Sequence, residues 1–353
     1  MNILVVSNMF PDEKHPSYGI FVKNFCDQLD ILNYRYTLSV MKKADLKAAK
    51  IIRYIVFYIE TFLKCVFGKY DLIYIHYASH SSLPVLKAYR WIKTPIYTNV
   101  HGSDVVPENS KQEKMQKHTR DILAKSGKII VPSEYFRAYV SKKYKISKEK
   151  IYIIHSGGVN EKVFYKNENK KITSNNELRL GFVGRLSYGK GWKTFLQACS
   201  LLKDINLSIT IVGNGPEEKE MIECISSLNF HNKIQKYNLL SQKELQKVYN
   251  ELDVFIFPTE REGESLGLVA LEAMACGTPV IASDFAAPAD YVVNGYNGYK
   301  FEKGNVKQLS EKIREFYNLS IIDKENMKES AMETARKYNM DTILEQMRKV
   351  LVE

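Results

Sequence analysis

The 353-residue sequence predicts an α/β protein of two consecutive domains, each a parallel sheet covered by helices on both faces. Three observations lead there. Short apolar runs alternate with helical patterns along the whole chain, as a covered parallel sheet requires. The alternation runs twice, broken by a polar stretch at residues 162–177 (KVFYKNENKKITSNNE) that has no periodicity. The length suits two domains that each bury a core, and 45% hydrophobic with 26% charged residues is a soluble globular composition. The division expected is residues 1–160, a linker at 161–177, residues 178–335, and a helix at 336–353 packing back on the first domain.

In the first domain, residues 3–7, 37–41, 72–76, 96–100, 129–132 and 151–154 read as strands. Helical patterns lie between them, among them 19–32, 82–91 and 134–143. Sites in such sheets sit at the carboxyl ends of strands, which selects residues 8–19, 101–104 and Ser133. Residues 51–67 (IIRYIVFYIETFLKCVF) are the most apolar long stretch, but Arg53, Glu60 and Lys64 leave too short a run to span a bilayer. This stretch is either a helix packed on the sheet or a helix lying on a membrane. After the linker come strands at 178–183, 207–212 and 233–237, with helices at 192–202, 217–228 and 241–251. A strand at 254–257 then runs through a charged loop into a helix at 268–275, stopped by Gly277 and Pro279, and a strand at 280–282. Residues 305–353 are helical by composition.

The net charge of +11 is uneven. Residues 1–160 hold 25 Lys and Arg against 13 Asp and Glu, so the whole excess lies in the first domain. Such an asymmetry points to an anionic partner, a membrane surface or nucleic acid, or follows from a lysine-rich composition. No nucleic-acid-binding module is present, which argues against that partner. Five scattered cysteines without metal-ligand spacing fit reduced thiols rather than a disulfide frame or structural metal. Met1 leads straight into strand-like residues, so no cleaved leader is expected, and a cytoplasmic protein is.

Five constellations could carry chemistry. In the loop Gly184-Arg185-Leu-Ser-Tyr-Gly-Lys190-Gly191 the glycines let backbone approach a ligand, and two cations beside a helix start suit a diphosphate. The spacing fits neither a P-loop nor a dinucleotide fingerprint. Gly213-Asn-Gly215-Pro216 is a second tight turn on the same rim, largely explained by structural need. His101-Gly-Ser-Asp104 follows a strand, and Gly19 opens a helix after the first strand. Finally Glu272 sits among apolar residues of its helix, where stability asks for no acid, and the loop before it bears Glu260, Arg261, Glu262 and Glu264.

Together these motifs resemble glycosyltransferase family 4, the retaining nucleotide-sugar transferases of the GT-B fold, in which two Rossmann-like domains face each other across a cleft. The strongest element is Glu264-Ser-Leu-Gly-Leu-Val-Ala-Leu-Glu272, which is similar to the family's pair of glutamates eight positions apart, together with residues 273–279 after it. Gly184-Arg185…Lys190-Gly191, Gly213-Asn-Gly215, His101-Gly-Ser-Asp104 and His155-Ser-Gly157 fit as well, and the start of the chain resembles the subgroup with Gly19-Ile-Phe-Val22. The resemblance implies that Glu272 holds the ribose hydroxyls and that Arg185 and Lys190 neutralise the departing diphosphate. It implies that Gly19 meets the diphosphate, that the amides of Gly267 and Leu268 add to its cradle, and that Gly215, Ser265 and Leu266 also bind the donor. It gives Glu264 and His101 to the sugar, and the backbone near Asn238 and Leu239 to the base. It implies a UDP- or GDP-sugar donor, no metal or other cofactor, and no dedicated protein base, because the phosphate helps take the acceptor proton.

The sequence departs from the family pattern at Ser265-Leu266, at Ala287-Pro-Ala-Asp290 and in the single Gly19. The expected activity is transfer of a hexose or aminosugar to a glycan or lipid-linked acceptor in capsule, lipopolysaccharide or other polysaccharide synthesis, peripheral to the inner face of the membrane. The rivals are a GT-B epimerase and a non-catalytic sugar-nucleotide-binding protein at the membrane. Against the last, all of Arg185, Lys190, Glu264 and Glu272 are present.

Overall fold

The computed structural model describes residues 1–16, 18–155, 157–167, 177–228 and 233–352. Ser17, Ser156 and residues 168–176 of the expected linker lie outside them. The chain forms two compact units, Met1–Gly157 with Ile343–Glu353, and Gly158–Thr342.

The first unit is built on strands β1 (Asn2–Phe10), β2 (Arg35–Lys42), β3 (Leu72–His76), β4 (Ile96–Asn99), β5 (Lys128–Val131) and β6 (Ile151–Ile153). They pair in parallel in the order β2-β1-β3-β4-β5-β6. Alternate side chains of β1 enter different cores, Leu4 and Val6 on one face and Ile3 and Val5 on the other. That explains the unbroken apolar runs of its central strands. Helices α1 (Ile20–Ile31), α2 (Lys47–Phe67), α3 (Ser82–Ala88), α4 (Ser110–Lys125) and α5 (Glu134–Tyr144) cover the sheet. The stretch read as either packed or membrane-lying is α2, and only one of its faces packs. Phe57, Thr61 and Cys65 are buried, with Thr61 Oγ1 2.8 Å from Ser39 Oγ of β2, while the opposite side is open.

The second unit has strands β7 (Glu177–Val183), β8 (Asn206–Val212), β9 (Lys233–Tyr237), β10 (Val254–Phe257), β11 (Val280–Ser283) and β12 (Gly298–Phe301). Their order is β12-β11-β10-β7-β8-β9, again all parallel. Its helices are α6 (Trp192–Ser200), α7 (Glu218–Ser227), α8 (Gln242–Glu251), α9 (Leu268–Ala275), α10 (Pro288–Tyr291), α11 (Val306–Tyr317) and α12 (Ile321–Arg336). The strand order reverses between β7 and β10, so their carboxyl ends flank the crevice where such sheets take ligands.

The last helix, α13 (Met340–Val352), belongs for most of its length to the first unit. Its Ile343, Met347, Val350 and Leu351 share a core with Ile3, Val5, Tyr74 and Ile130. Lys128 Nζ donates to the Val350 carbonyl at 2.8 Å, and the His155 amide to Gln346 Oε1 at 3.2 Å.

Candidate active site

The switch point of the second unit gathers the charged residues singled out in the sequence. The loop leaving β7 carries Arg185 and Lys190, and the loop leaving β10 carries Glu264. Lys190 Nζ donates to Glu264 Oε2 at 2.6 Å, and Thr259 Oγ1 lies 3.3 Å from the same oxygen. Both side chains of the pair are largely buried, which strengthens their attraction over that of a surface pair. Arg185 is exposed and has no ion-pair partner among the described residues, so its guanidinium is available to an anion.

The loops are held by backbone. Gly191, at φ 75, caps α6, and a Cβ there would lie 1.8 Å from the Pro258 carbonyl oxygen. The Glu260 amide donates to the Gly189 carbonyl at 2.7 Å. The acids of the β10 loop separate by environment. Glu260 accepts from Thr194 Oγ1 at 2.9 Å, Glu262 is exposed, and Glu264 faces the lysine.

Gly267, at φ 75, caps α9, where a Cβ would clash with the Phe257 ring and the Tyr291 hydroxyl. The Leu268 and Val269 amides of α9 are left without intrahelical acceptors and carry the positive end of the helix dipole, while the Ala270 amide donates to the Gly267 carbonyl at 2.9 Å. Ser265 lies half-buried just before this start. Leu266, expected among the donor-binding residues, can serve there through its backbone. It is a core residue packed with Val183, Phe257 and Tyr291, leaving only its backbone to a ligand.

Glu272 is buried on α9, and Tyr249 Oη donates to its Oε2 at 3.3 Å. Burial pushes its carboxyl up to about 8, against which the single hydroxyl works only weakly. The acid is therefore largely protonated at neutral pH.

The glycines of the second turn serve loop packing first. A Cβ on Gly213 would meet the Gly184 carbonyl oxygen at 1.9 Å, and one on Gly215 the Leu186 carbonyl oxygen at 2.1 Å. This turn thus presses the Arg185 loop into place. The Gly213 amide donates to the Tyr237 carbonyl at 3.0 Å, which sets the end of β9 beside it. Just past β9, Asn238 Oδ1 accepts from Lys236 Nζ at 2.7 Å, and Leu239 is exposed.

In the first unit, His101 follows β4, and its Nε2 lies 3.0 Å from His76 Nδ1 at the end of β3. Burial pushes His101 down to about 3 and His76 well below its ordinary value, so both rings are neutral. Asp104 fixes the turn. Its Oδ1 accepts from the His101 and Gly102 amides at 3.0 and 2.9 Å, and its Oδ2 from the Ala78 amide at 2.9 Å. Gly19, at φ 74, caps α1 with its α-hydrogen against the Met9 carbonyl, an approach no side chain allows. His76 escaped the sequence reading, although the rule of strand carboxyl ends applies to it as it does to His101.

Comparison with known proteins identifies the family and the fold. Residues 164–337 match the family model of glycosyl transferases group 1, and residues 23–158 that of Glycosyltransferase Family 4. The chain is a glycosyltransferase. It is 28% identical to an uncharacterized glycosyltransferase of Methanocaldococcus jannaschii over 80% of this chain and 75% of that protein. It is 30% identical to the capsular polysaccharide biosynthesis glycosyltransferase CapM of Staphylococcus aureus over 52% of this chain and 48% of the relative. An N,N'-diacetylbacillosaminyl-diphospho-undecaprenol alpha-1,3-N-acetylgalactosaminyltransferase of Campylobacter jejuni is 28% identical over 56% of this chain and 53% of its own. Among solved structures, sucrose-phosphate synthase of Thermosynechococcus elongatus aligns at a TM-score of 0.80 and 17% identity, over 99% of this chain and 98% of that one. HepE of Anabaena in complex with UDP-glucose aligns at 0.78 and 16%, over 100% and 99%. These two likenesses show the GT-B fold of the glycosyltransferase.

Proposed function

We propose that this glycosyltransferase moves a hexose or aminosugar, with retention, from a nucleoside diphosphate sugar to a glycan or lipid-linked acceptor in cell-surface polysaccharide synthesis. The observation that carries the reading is the switch point of the second unit, where free Arg185, the Lys190–Glu264 pair and the start of α9 stand together. In this reading the diphosphate draws Lys190 from Glu264, and Arg185, Lys190 and the α9 amides take up the charge that grows as the sugar–phosphate bond breaks. Glu264, released from the lysine, accepts hydrogen bonds from the sugar, and His101 of the first unit is the residue that the family resemblance gives to the reaction. Glu272 accepts from the ribose diol. The departing phosphate oxygen takes the acceptor's proton, so no separate base enters the step, and in this reading the cations and α9 amides neutralise the diphosphate without a metal. UDP is the favoured nucleotide because HepE, of the same fold, has been solved with UDP-glucose. A lipid-linked acceptor is favoured by the undecaprenol-linked substrate named for the Campylobacter relative, and CapM supports the polysaccharide setting.

A thermal-shift screen of nucleoside diphosphates and their sugars identifies the donor, since a ligand bound by the native state raises its melting temperature. With that donor, Arg185→Ala and Glu272→Ala are each expected to lower turnover at least about a hundredfold while the circular dichroism spectrum stays unchanged. Wild-type turnover in both variants would sink the reading. Tight binding with no transfer to any acceptor would favour a sugar-nucleotide-binding protein instead.

A further inference from the structure

The packed face of α2 accounts for only half of that helix. On the other side Ile51, Ile52, Ile55, Val56, Ile59, Leu63 and Phe67 are all exposed, each by at least 46% of its surface, and Leu46 precedes them at 73%. At 100° per residue, the seven within the helix fall in an arc of about 160°, opposite the buried Phe57, Thr61 and Cys65. Single exposed apolar side chains are ordinary, but a continuous apolar stripe about 24 Å long marks a surface that something covers.

The surroundings identify what covers it. Lys42, Lys43, Lys47 and Lys50 are exposed at the amino end of the stripe, and Lys69, Arg90 and Lys93 are exposed around its carboxyl end. Trp91 lies there too, 54% exposed, its ring 5.7 Å edge-on from that of Phe62 and beneath the Arg90 guanidinium. The acid within the helix, Glu60, is tied to Lys64. No helix among the described residues is long and apolar enough to cross a membrane. An apolar stripe flanked by cations and an interfacial tryptophan, on a helix too charged to insert across, has the make-up of an element lying in the surface of an anionic bilayer.

We propose that α2 docks the first unit on anionic lipid, with Ile52, Ile55, Val56, Ile59 and Leu63 entering the acyl boundary and the flanking lysines and arginine meeting headgroup phosphates. This gives the membrane setting of the proposed activity a physical contact, and rests on that reading only in taking a membrane as the workplace. A soluble protein partner would need matching acids around an apolar groove, and a second copy of this chain would bring the same cations face to face. Charge complementarity therefore favours lipid over both.

The test is flotation of the full-length protein with vesicles of phosphatidylcholine containing about 30% phosphatidylglycerol, set against vesicles of phosphatidylcholine alone. Wild-type protein is expected to float with the anionic vesicles at least about tenfold more than with neutral ones, and less as salt rises. Ile52→Ser/Ile55→Ser/Ile59→Ser, and separately Lys43→Glu/Lys47→Glu/Lys50→Glu, should each cut binding at least about tenfold. These positions are on the surface, so the melting temperature of both variants, and its rise with nucleotide, should stay at the wild-type value. That second readout separates a failure of docking from a failure of the donor reading.

The two tryptophans supply an independent signal. Trp192 is buried and Trp91 exposed, so vesicles should shift emission to the blue in wild type and not in Trp91→Phe. Equal binding by the serine variant, or no binding by wild type, overturns the proposal. A concentration-dependent dimer that the serine variant abolishes, without vesicle binding, would assign the stripe to a second copy.

Discussion

Glu272 is a carboxylic acid buried on α9, where, among the described residues, the Tyr249 hydroxyl gives the one hydrogen bond that supports its ionised form. A ribose diol would donate to both carboxylate oxygens and so favour the charged form, reversing the burial that pushes the group up to about 8. Nucleotide binding near pH 7 should then expel up to about one proton. Titration calorimetry of UDP in two buffers of different ionisation enthalpy checks this, and Glu272→Gln should abolish the difference. In the absence of ligand the sign runs the other way for stability. The folded group binds its proton more tightly than the unfolded one, so stability falls as pH rises from the ordinary carboxyl range through about 8, and Glu272→Gln should lack that fall. In the first unit the tautomers of the histidine pair are set by burial. His76 Nε2 is buried without a partner, and a bare lone pair is tolerated there better than an orphaned N–H. His76 Nδ1–H therefore donates to His101 Nε2, and His101 carries its own proton on Nδ1. His76→Phe should lower kcat about tenfold or more with little change in donor KM, and His76→Asn, which keeps a donor near Nδ1, should recover part of it. Equal losses in the two variants would show that only packing matters there.

At the level of elements, the junction of β7, its loop and α6 depends on one close approach. Gly191 combines φ 75 with a Cβ site 1.8 Å from the Pro258 carbonyl oxygen, whereas Gly295 has φ 73 and open space around it. Gly295→Ala should cost about 1 kcal/mol of backbone strain, and Gly191→Ala about 2–4 kcal/mol, because the β10 loop must also move. Thermal or urea unfolding of the two variants separates the contributions, and equal shifts would remove the close approach from the account. Most elements were legible because parallel strands buried on both faces read as apolar runs between helical patterns. Residues 72–76, 233–237, 254–257 and 268–275 come out at those bounds in β3, β9, β10 and α9. β12 was not, since Gly298-Tyr-Lys-Phe301 has no strand pattern of its own and is made one by its pairing with β11. The two faces of α2 were equally hidden. Fifteen of its 21 residues are apolar or aromatic and they surround the helix, so periodicity could not show which side the sheet would take. Within the site, the sequence carried Arg185, Lys190, Glu264 and Glu272 through their motif, but not which acid of the β10 loop meets the lysine. That depends on Thr194 of α6 taking Glu260. Nor did it carry the partnership of His76 with His101, which lie on different strands.

The molecule as a whole divides its labour by unit. Each unit has its own pair of cores, the excess positive charge lies within residues 1–160, and the proposed nucleotide site is built from loops of the second unit. α13 ties the end of the chain into the first unit's core, so deleting residues 340–353 removes Ile343, Met347, Val350 and Leu351 from it and should leave that unit unfolded. Ligands should accordingly be read in different places. A nucleotide at 100 times its Kd stabilises the structure it binds by about 2.7 kcal/mol, and local opening of the same structure becomes rarer by about a hundredfold. Hydrogen exchange read by mass spectrometry should show UDP slowing residues 181–191 and 258–277, while residues 47–67 exchange as before. Anionic vesicles should give the reverse, protecting residues 47–67 and leaving the switch point of β7 and β10 unchanged. If UDP failed to protect those loops, the donor site would be misplaced. If vesicles protected some other surface and left α2 open, the membrane contact would belong to that surface and the stripe on α2 would need another occupant.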